Sequence, residues 1–284
     1  MASLRDIKRR IRSVDNTRQI TRAMQMVAAA KLRRAQQRVE SARPYAGKMN
    51  EMLESLAGAA AGLAHPLFEQ RGGARQAVVL FTSDRGLCGS YNANMIRRAT
   101  ACLSAGDRAD QVLLTVGKRG YDWFKSRPWK MGPTYQDWSG NLDFERVRGI
   151  TRDLIEMFEK GAVDRVVLIY TRYISIVSHV VTEEQFLPIV PPAGADGPDA
   201  AYIFEPNPAE IFARLLPAFA LSRVQTAMTE AFASEHGSRM FAMSNATKNA
   251  GEMVDRLTLQ YNKARQSSIT TEMLEIVSGA EALR

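Results

Sequence analysis

Residues 28–56 read AAAKLRRAQQRVESARPYAGKMNEMLESL. Within this stretch Ala28, Leu32, Ala35, Val39, Ala42, Ala46, Met49, Leu53 and Leu56 are spaced alternately four and three apart. A side-chain stripe that returns every seven residues is the seam of a helix that packs along another helix. Leu4, Ile7, Ile11 and Val14 carry the same rhythm, so residues 1–60 read as one long N-terminal coiled-coil helix. Between the two runs Arg18 and Gln25 fall on the seam, with Ile20, Met24 and Val27 beside it. A local change of winding is expected there. Pro44 disfavours helical geometry at Arg43, but the seam keeps its phase across it, so a kink is expected and no break.

A second helical pattern covers residues 208–284. Ala220, Val224, Ala227, Ala231, Ser234, Ser238, Phe241 and Asn245 alternate four and three. The phase then resets to Val254, Leu257, Tyr261, Ala264 and Ser268. Small seam residues let two helices approach closely. Between the arms, residues 70–200 differ in composition. Residues 77–83 (AVVLFTS), 111–116 (QVLLTV) and 165–170 (RVVLIY) are short apolar runs of strand type, separated by helical stretches near 92–105 and 143–160. That alternation predicts an inserted doubly wound, Rossmann-like α/β domain with a mainly parallel sheet. Residues 174–181 and 185–190 are candidate edge strands, and 191–199 (PPAGADGPD) reads as a loop.

At ~1.5 Å per residue the first arm is ~80 Å long and the second ~110 Å, too long to lie within a small domain. Antiparallel pairing is expected, with ~30 Å of the C-terminal helix reaching past its partner. That overhang contains Leu274, Ile276, Val277, Ala280 and Leu283, and an exposed apolar tip calls for a partner.

Charge is concentrated at one end. Of 284 residues carrying a net +8, the first 43 hold twelve Lys/Arg against Asp6, Asp15 and Glu40, so that segment supplies the whole basic excess. Such a face suits an acidic protein surface, an anionic lipid or a nucleic acid, or is simply a solvated helix face. No recognised nucleic-acid fold or aromatic platform accompanies it. The two cysteines, Cys88 and Cys102, make no CxxC pair and fit a reducing compartment. The three histidines are scattered, so neither a catalytic triad nor a metal site is read. The turn at residues 84–89 follows a strand but lacks GxGxxG and GxxxxGK[ST], so no cofactor site is read there and a tight packing turn is expected. The N-terminus lacks the apolar core of a signal peptide, and no apolar run approaches the ~18 residues of a membrane span.

Three blocks resemble the gamma subunits of F-type ATP synthases. They are residues 16–31 (NTRQITRAMQMVAAAK), 83–89 (SDRGLCG), and 259–266 (LQYNKARQ) continuing into 269–280 (ITTEMLEIVSGA). The resemblance spans essentially the whole chain, without the cysteine-bearing insertion of the chloroplast members. It implies a non-catalytic central rotor shaft without cofactor or metal, which couples proton-driven rotation to conformational change in the beta subunits. The implied partners are a hexameric ring of alpha and beta subunits, the epsilon subunit and the membrane c-ring, with membrane association indirect and no nucleic acid. The implied location is the cytoplasmic face of a bacterial inner membrane.

By the same resemblance, Arg9, Arg10, Lys31, Arg33 and Arg34 are expected to face acidic segments of the beta subunits. Met24 is expected at a sliding contact with beta, or alternatively in the helix–helix core. Arg265, Gln266 and Thr270 are implied catches on loops of the ring. Ile276, Val277, Ala280 and Leu283 form an apical bearing, and Phe204 and Glu205 the foot segment toward the rotor ring. The family often has tyrosine where Phe204 stands. Two other readings stay open: a nucleotide-binding α/β protein with coiled-coil arms, and a basic coiled-coil scaffold.

Overall fold

The computed structural model describes residues 3–59, 65–138, 142–176, 178–190 and 208–282. Along the chain run α1 (Leu4–Ala59), β1 (Gln76–Phe81), α2 (Tyr91–Ser104), β2 (Gln111–Val116), α3 (Lys118–Phe124), β3 (Lys130–Tyr135), α4 (Phe144–Glu159), β4 (Arg165–Tyr173), β5 (His179–Leu187) and α5 (Pro208–Ala282). Helix α1 passes through Pro44, which is exposed, so water can satisfy the carbonyl left without an amide partner.

The sheet order is β3-β2-β1-β4-β5, with β1 to β4 parallel and β5 antiparallel to β4. The chain starts in the middle and winds outward both ways, the doubly wound topology. Alternation along β1 builds the two layers: Val78 and Leu80 face Met95, Leu103, Leu113 and Phe124 beneath α2 and α3. Ala77, Val79 and Phe81 face the opposite core, with Ile150, Leu154 and Phe158 of α4. That second core also holds Met49 and Leu53 of α1 and Leu216, Phe219 and Val224 of α5.

Two elements escaped the pattern reading. Helix α3 is a single short stretch, and β3 carries Gly132 and Pro133, which argue against a strand. β3 is tolerated because it lies at the sheet edge, with a register shift against β2 between Leu113 and Thr115. The two edge strands expected at 174–181 and 185–190 are instead one strand, β5. A turn precedes it, where the Ile174 and Ser175 amides donate to the Ser178 carbonyl.

The chain divides into two compact units, one of residues 29–239 and one of 1–28 with 240–284. In each the long helices run antiparallel: Leu32 lies beside Gly237 in the first, and Arg18 beside Gly251 in the second. The seam of α1 is as spaced in the sequence, with Ala28, Leu32, Ala35, Val39, Met49 and Leu53 buried. Around residues 14–28 the outcome differs from the expected slip. Burial holds its seven-residue phase through Thr21, which is 9% exposed, while Ile20 and Val27 are 61% and 58% exposed. The seam accepts polar residues there instead of rewinding toward the apolar ones.

On α5 the phase reset falls earlier than expected. Phe241 and Asn245 are exposed, and Met243, Ala250 and Leu257 form the buried stripe. The cause is a change in surroundings. Residues 227–237 are buried without interruption, so that stretch packs on every side, whereas beyond residue 240 a single stripe is buried.

Candidate functional site

In a doubly wound sheet the ligand crevice lies beyond the carboxyl ends of the strands where the winding reverses, here between β1 and β4. This chain fills that place with its own α5. The Ser234 hydroxyl donates to the Thr171 carbonyl at 3.1 Å, and the Tyr91 hydroxyl donates to the Ala231 carbonyl at 3.3 Å. Arg239 donates to the carbonyls of Arg85 at 3.1 Å and Gly86 at 3.3 Å, and to the Glu235 carboxylate at 2.6 Å.

Burial sets the charge states. It pushes the Glu235 carboxyl up, opposed by Arg239. It lowers His236 to about 4, with the positive charges of Arg239 and Lys31 adding to the effect. Near neutral pH His236 is therefore neutral, and its Nδ1 stands 3.2 Å from the Arg239 guanidinium as an acceptor.

The turn after β1 is a packing device, as its sequence suggested. The Asp84 carboxylate accepts the backbone N–H groups of Lys118 (3.1 Å), Asp137 (3.2 Å) and Trp138 (2.7 Å), tying three loops together. The Thr82 hydroxyl bonds the Gly120 amide at 2.9 Å. Leu87 and Gly89 take positive φ of 62° and 58°, which returns the chain into α2. A carboxylate consuming the amides at the strand ends leaves the turn unsuited to cradle a phosphate.

The expected contact residues distribute over both units. Arg9, exposed, pairs with Asp6 at 3.0 Å, and Arg10 is exposed. Met24 is half-buried, which fits part of a seam and part of a free surface. Lys31 and Arg34 line one cavity of about 140 Å³ with Ala35, Arg38, Leu142, Thr229 and Phe232, while Arg33 faces solvent. Arg265, Gln266 and Thr270 are exposed on one helix region, and the Thr270 hydroxyl returns to the Gln266 carbonyl at 3.0 Å. Ile276 and Val277 are 72% and 61% exposed, and Ala280 is exposed. Leu283, Phe204 and Glu205 lie outside the described residues.

Sequence reasoning missed Arg239 and Glu235, because an i,i+4 Glu/Arg pair on a helix reads as surface decoration. The one available signal was their place in a stretch where Ala, Ser and Gly dominate. Among the described residues no cluster of His, Cys, Asp and Glu could hold a metal, and no helix is long and apolar enough to cross a membrane.

Taken together, the fold defines an α/β insertion carried between two long antiparallel helices, with the crevice of the sheet closed by the chain itself. The family model described as ATP synthase matches residues 3–283. The ATP synthase gamma chain of Moorella thermoacetica is 47% identical over 284 residues, and that of Trichlorobacter lovleyi 44% over 291, each covering all of both chains. A chain of the Tetrahymena thermophila mitochondrial ATP synthase central stalk and c-ring is 27% identical, with a TM-score of 0.63 over 80% of this chain and 99% of that one. A chain of the Euglena gracilis mitochondrial ATP synthase rotor shares the fold at 20% identity, with a TM-score of 0.66 over 94% and 98%. The chain belongs to the ATP synthase gamma-chain family, and its function is that of the central-stalk rotor subunit.

Proposed function

We propose that this chain has no catalytic group of its own and acts only as an axle. In this reading residues 1–60 and 208–284 pair in the bore of the alpha and beta ring. Residues 70–200 form the foot, which rests with epsilon on the c-ring at the cytoplasmic face of a bacterial inner membrane. Turning the axle changes which conformation of each beta subunit is lowest in free energy, and this drives binding, synthesis and release in turn.

The observation that carries the reading is the end of α5. Every described residue from 269 to 280 is exposed, including Ile269, Met273, Leu274, Ile276 and Val277 at 49–72%. Leaving such side chains in water forgoes roughly 1.5–3 kcal/mol each, so a sequence this apolar is made for a surrounding collar. Ile276, Val277, Ala280 and Leu283 serve as the bearing inside it. About two to three turns earlier, the exposed side chains of Arg265, Gln266 and Thr270 can hydrogen-bond to loops of the ring, Thr270 through an oxygen that can still accept while its proton returns to the Gln266 carbonyl. The cations Arg9, Arg10, Lys31, Arg33 and Arg34 offer long-range attraction to acidic beta segments that survives sliding. Met24 suits the same contact through its flexible thioether. Phe204 and Glu205 belong, in this reading, to the foot surface.

Co-expression with alpha and beta subunits tests the reading. A ring holding a single copy of this chain and hydrolysing ATP is expected, and a chain recovered free of the ring would defeat it. Gln266→Ala should slow coupled synthesis several-fold; unchanged synthesis and ATP-driven proton pumping would remove Gln266 from the catch.

A further inference from the structure

Residues 227–237 are eleven consecutive buried positions, where a helix packed on one side buries three or four in every two turns. Many of them are small: Ala227, Ala231, Ala233, Ser234 and Gly237. A Cβ built on Gly237 would meet the Ile176 carbonyl at 3.7 Å, the Tyr173 ring at 3.8 Å and Leu32 at 3.9 Å, so walls surround the helix closely. Small side chains against apolar walls resist sideways displacement, but they offer little resistance to rotation of the helix about its own axis. Dispersion is non-directional, whereas hydrogen bonds weaken steeply when misaligned.

Apart from Phe232, whose ring lies 6.3 Å from that of Trp138, directional resistance to rotation comes from polar links, and these leave residues 231–239 in four directions. Ala231 accepts from Tyr91 of α2, and Ser234 donates to Thr171 of β4. Ser238 meets His179 of β5 at 2.9 Å. Arg239 holds the carbonyls of Arg85 and Gly86 in the turn after β1, its fork kept in place by Glu235. Arg239 makes the only charged link of this set. It reaches the same turn that Asp84 ties to the ends of β2 and β3.

We propose that Arg239 is a positioning residue that latches α5 to the sheet against rotation, so that torque passes between the α/β domain and the long helix through the turn at Arg85 and Gly86. The latch occupies the crevice that other doubly wound folds give to a ligand, which explains why a charged side chain is buried there. The inference rests on the axle reading above.

The test uses the assembled ATP synthase in inverted vesicles, reading ATP hydrolysis, proton pumping per ATP and thermal stability. In the double variant Glu235→Gln/Arg239→Gln, which leaves no lone buried charge, hydrolysis should stay within twofold while pumping per ATP falls at least threefold. Arg239→Lys, which keeps a cation and some donors, should restore part of the ratio, and it is the variant to read should the double variant not assemble. Met228→Ala, an apolar truncation at a fully buried position of the same stretch, should lower thermal stability and leave the ratio unchanged. An unchanged ratio in the Arg239 variants, or an equal fall in Met228→Ala, would overturn the latch. A parent complex that hydrolyses ATP without pumping would instead overturn the axle reading and the latch with it.

Discussion

The hydroxyl oxygens of Thr21 on α1 and Thr247 on α5 lie 2.8 Å apart in the seam between the two long helices. The Thr21 hydroxyl donates to the Arg18 carbonyl at 3.0 Å and accepts from Thr247, whose single proton is shared with the Met243 carbonyl at 2.8 Å. The pair therefore satisfies itself in a half-dry position and sets the register of the two helices. An apolar seam of the same period would tolerate a seven-residue slide, whereas a matched polar pair makes the slid state leave a hydroxyl facing side chains that cannot answer it.

Register can be read by cross-linking. Thr21→Cys with Thr247→Cys should form an intramolecular disulfide under mild oxidation at pH 8, seen after proteolysis on a non-reducing gel. The native thiols do not compete: Cys88 is buried with its pKa raised, and burial lifts Cys102 to about 11. Absence of the cross-linked peptide would mean that the helices pair in another register.

Asp84→Ala should destabilise the protein by about 2–3 kcal/mol, since three backbone amides lose a charged acceptor at once. Asp84→Asn, which keeps the shape and one acceptor oxygen, should cost less. Urea unfolding of the two variants checks the order, and equal loss from both would show that the charge contributes nothing.

His236 gives a pH dependence with a definite sign. Its folded pKa of about 4 lies below the ordinary 6.5, so the folded state binds fewer protons than the unfolded state across that window. Stability therefore falls as pH drops from 6.5 toward 4, by about 3 kcal/mol for this group alone. The raised pKa of Glu235 works in the opposite sense, so the measurable quantity is the difference between wild type and His236→Gln. The wild-type thermal midpoint should fall relative to that of His236→Gln as pH drops; parallel curves would exclude His236 as the source.

Two glycines should respond in opposite directions. Gly117 has φ of 98°, and a Cβ there would lie 2.0 Å from the Thr82 carbonyl oxygen, so Gly117→Ala should cost 3 kcal/mol or more, about the upper range for strained and overpacked sites. Gly149 sits inside α4 with nothing within 4 Å of the added carbon, so Gly149→Ala should stabilise by about 0.5–1 kcal/mol. Denaturation midpoints moving the same way in both variants would contradict this geometry.

Local chemistry wrote much of the molecule into its sequence. The seven-residue stripe of α1 needs only side chains spaced to share one helix face, so Ala28, Leu32, Val39 and Leu53 announced their burial in advance. The apolar runs of β1, β2 and β4 likewise mark strands covered on both faces. The apolar end of α5 and the cationic start of α1 were equally plain, because a run of side chains of one kind is a property of the segment that carries it. What stayed hidden depends on neighbours far along the chain. β3, with Gly132 and Pro133, is a strand only because β2 supplies a partner and the edge forgives the missing amide. Thr21 is buried and Ile20 exposed because Thr247 waits across the seam. Arg239 reads as a surface cation until the sheet brings the Arg85 and Gly86 carbonyls to it from 154 and 153 residues away. Periodicity is a property of one segment and can be read from it, whereas the partner of a buried polar group is a property of two segments and exists only once the chain has folded.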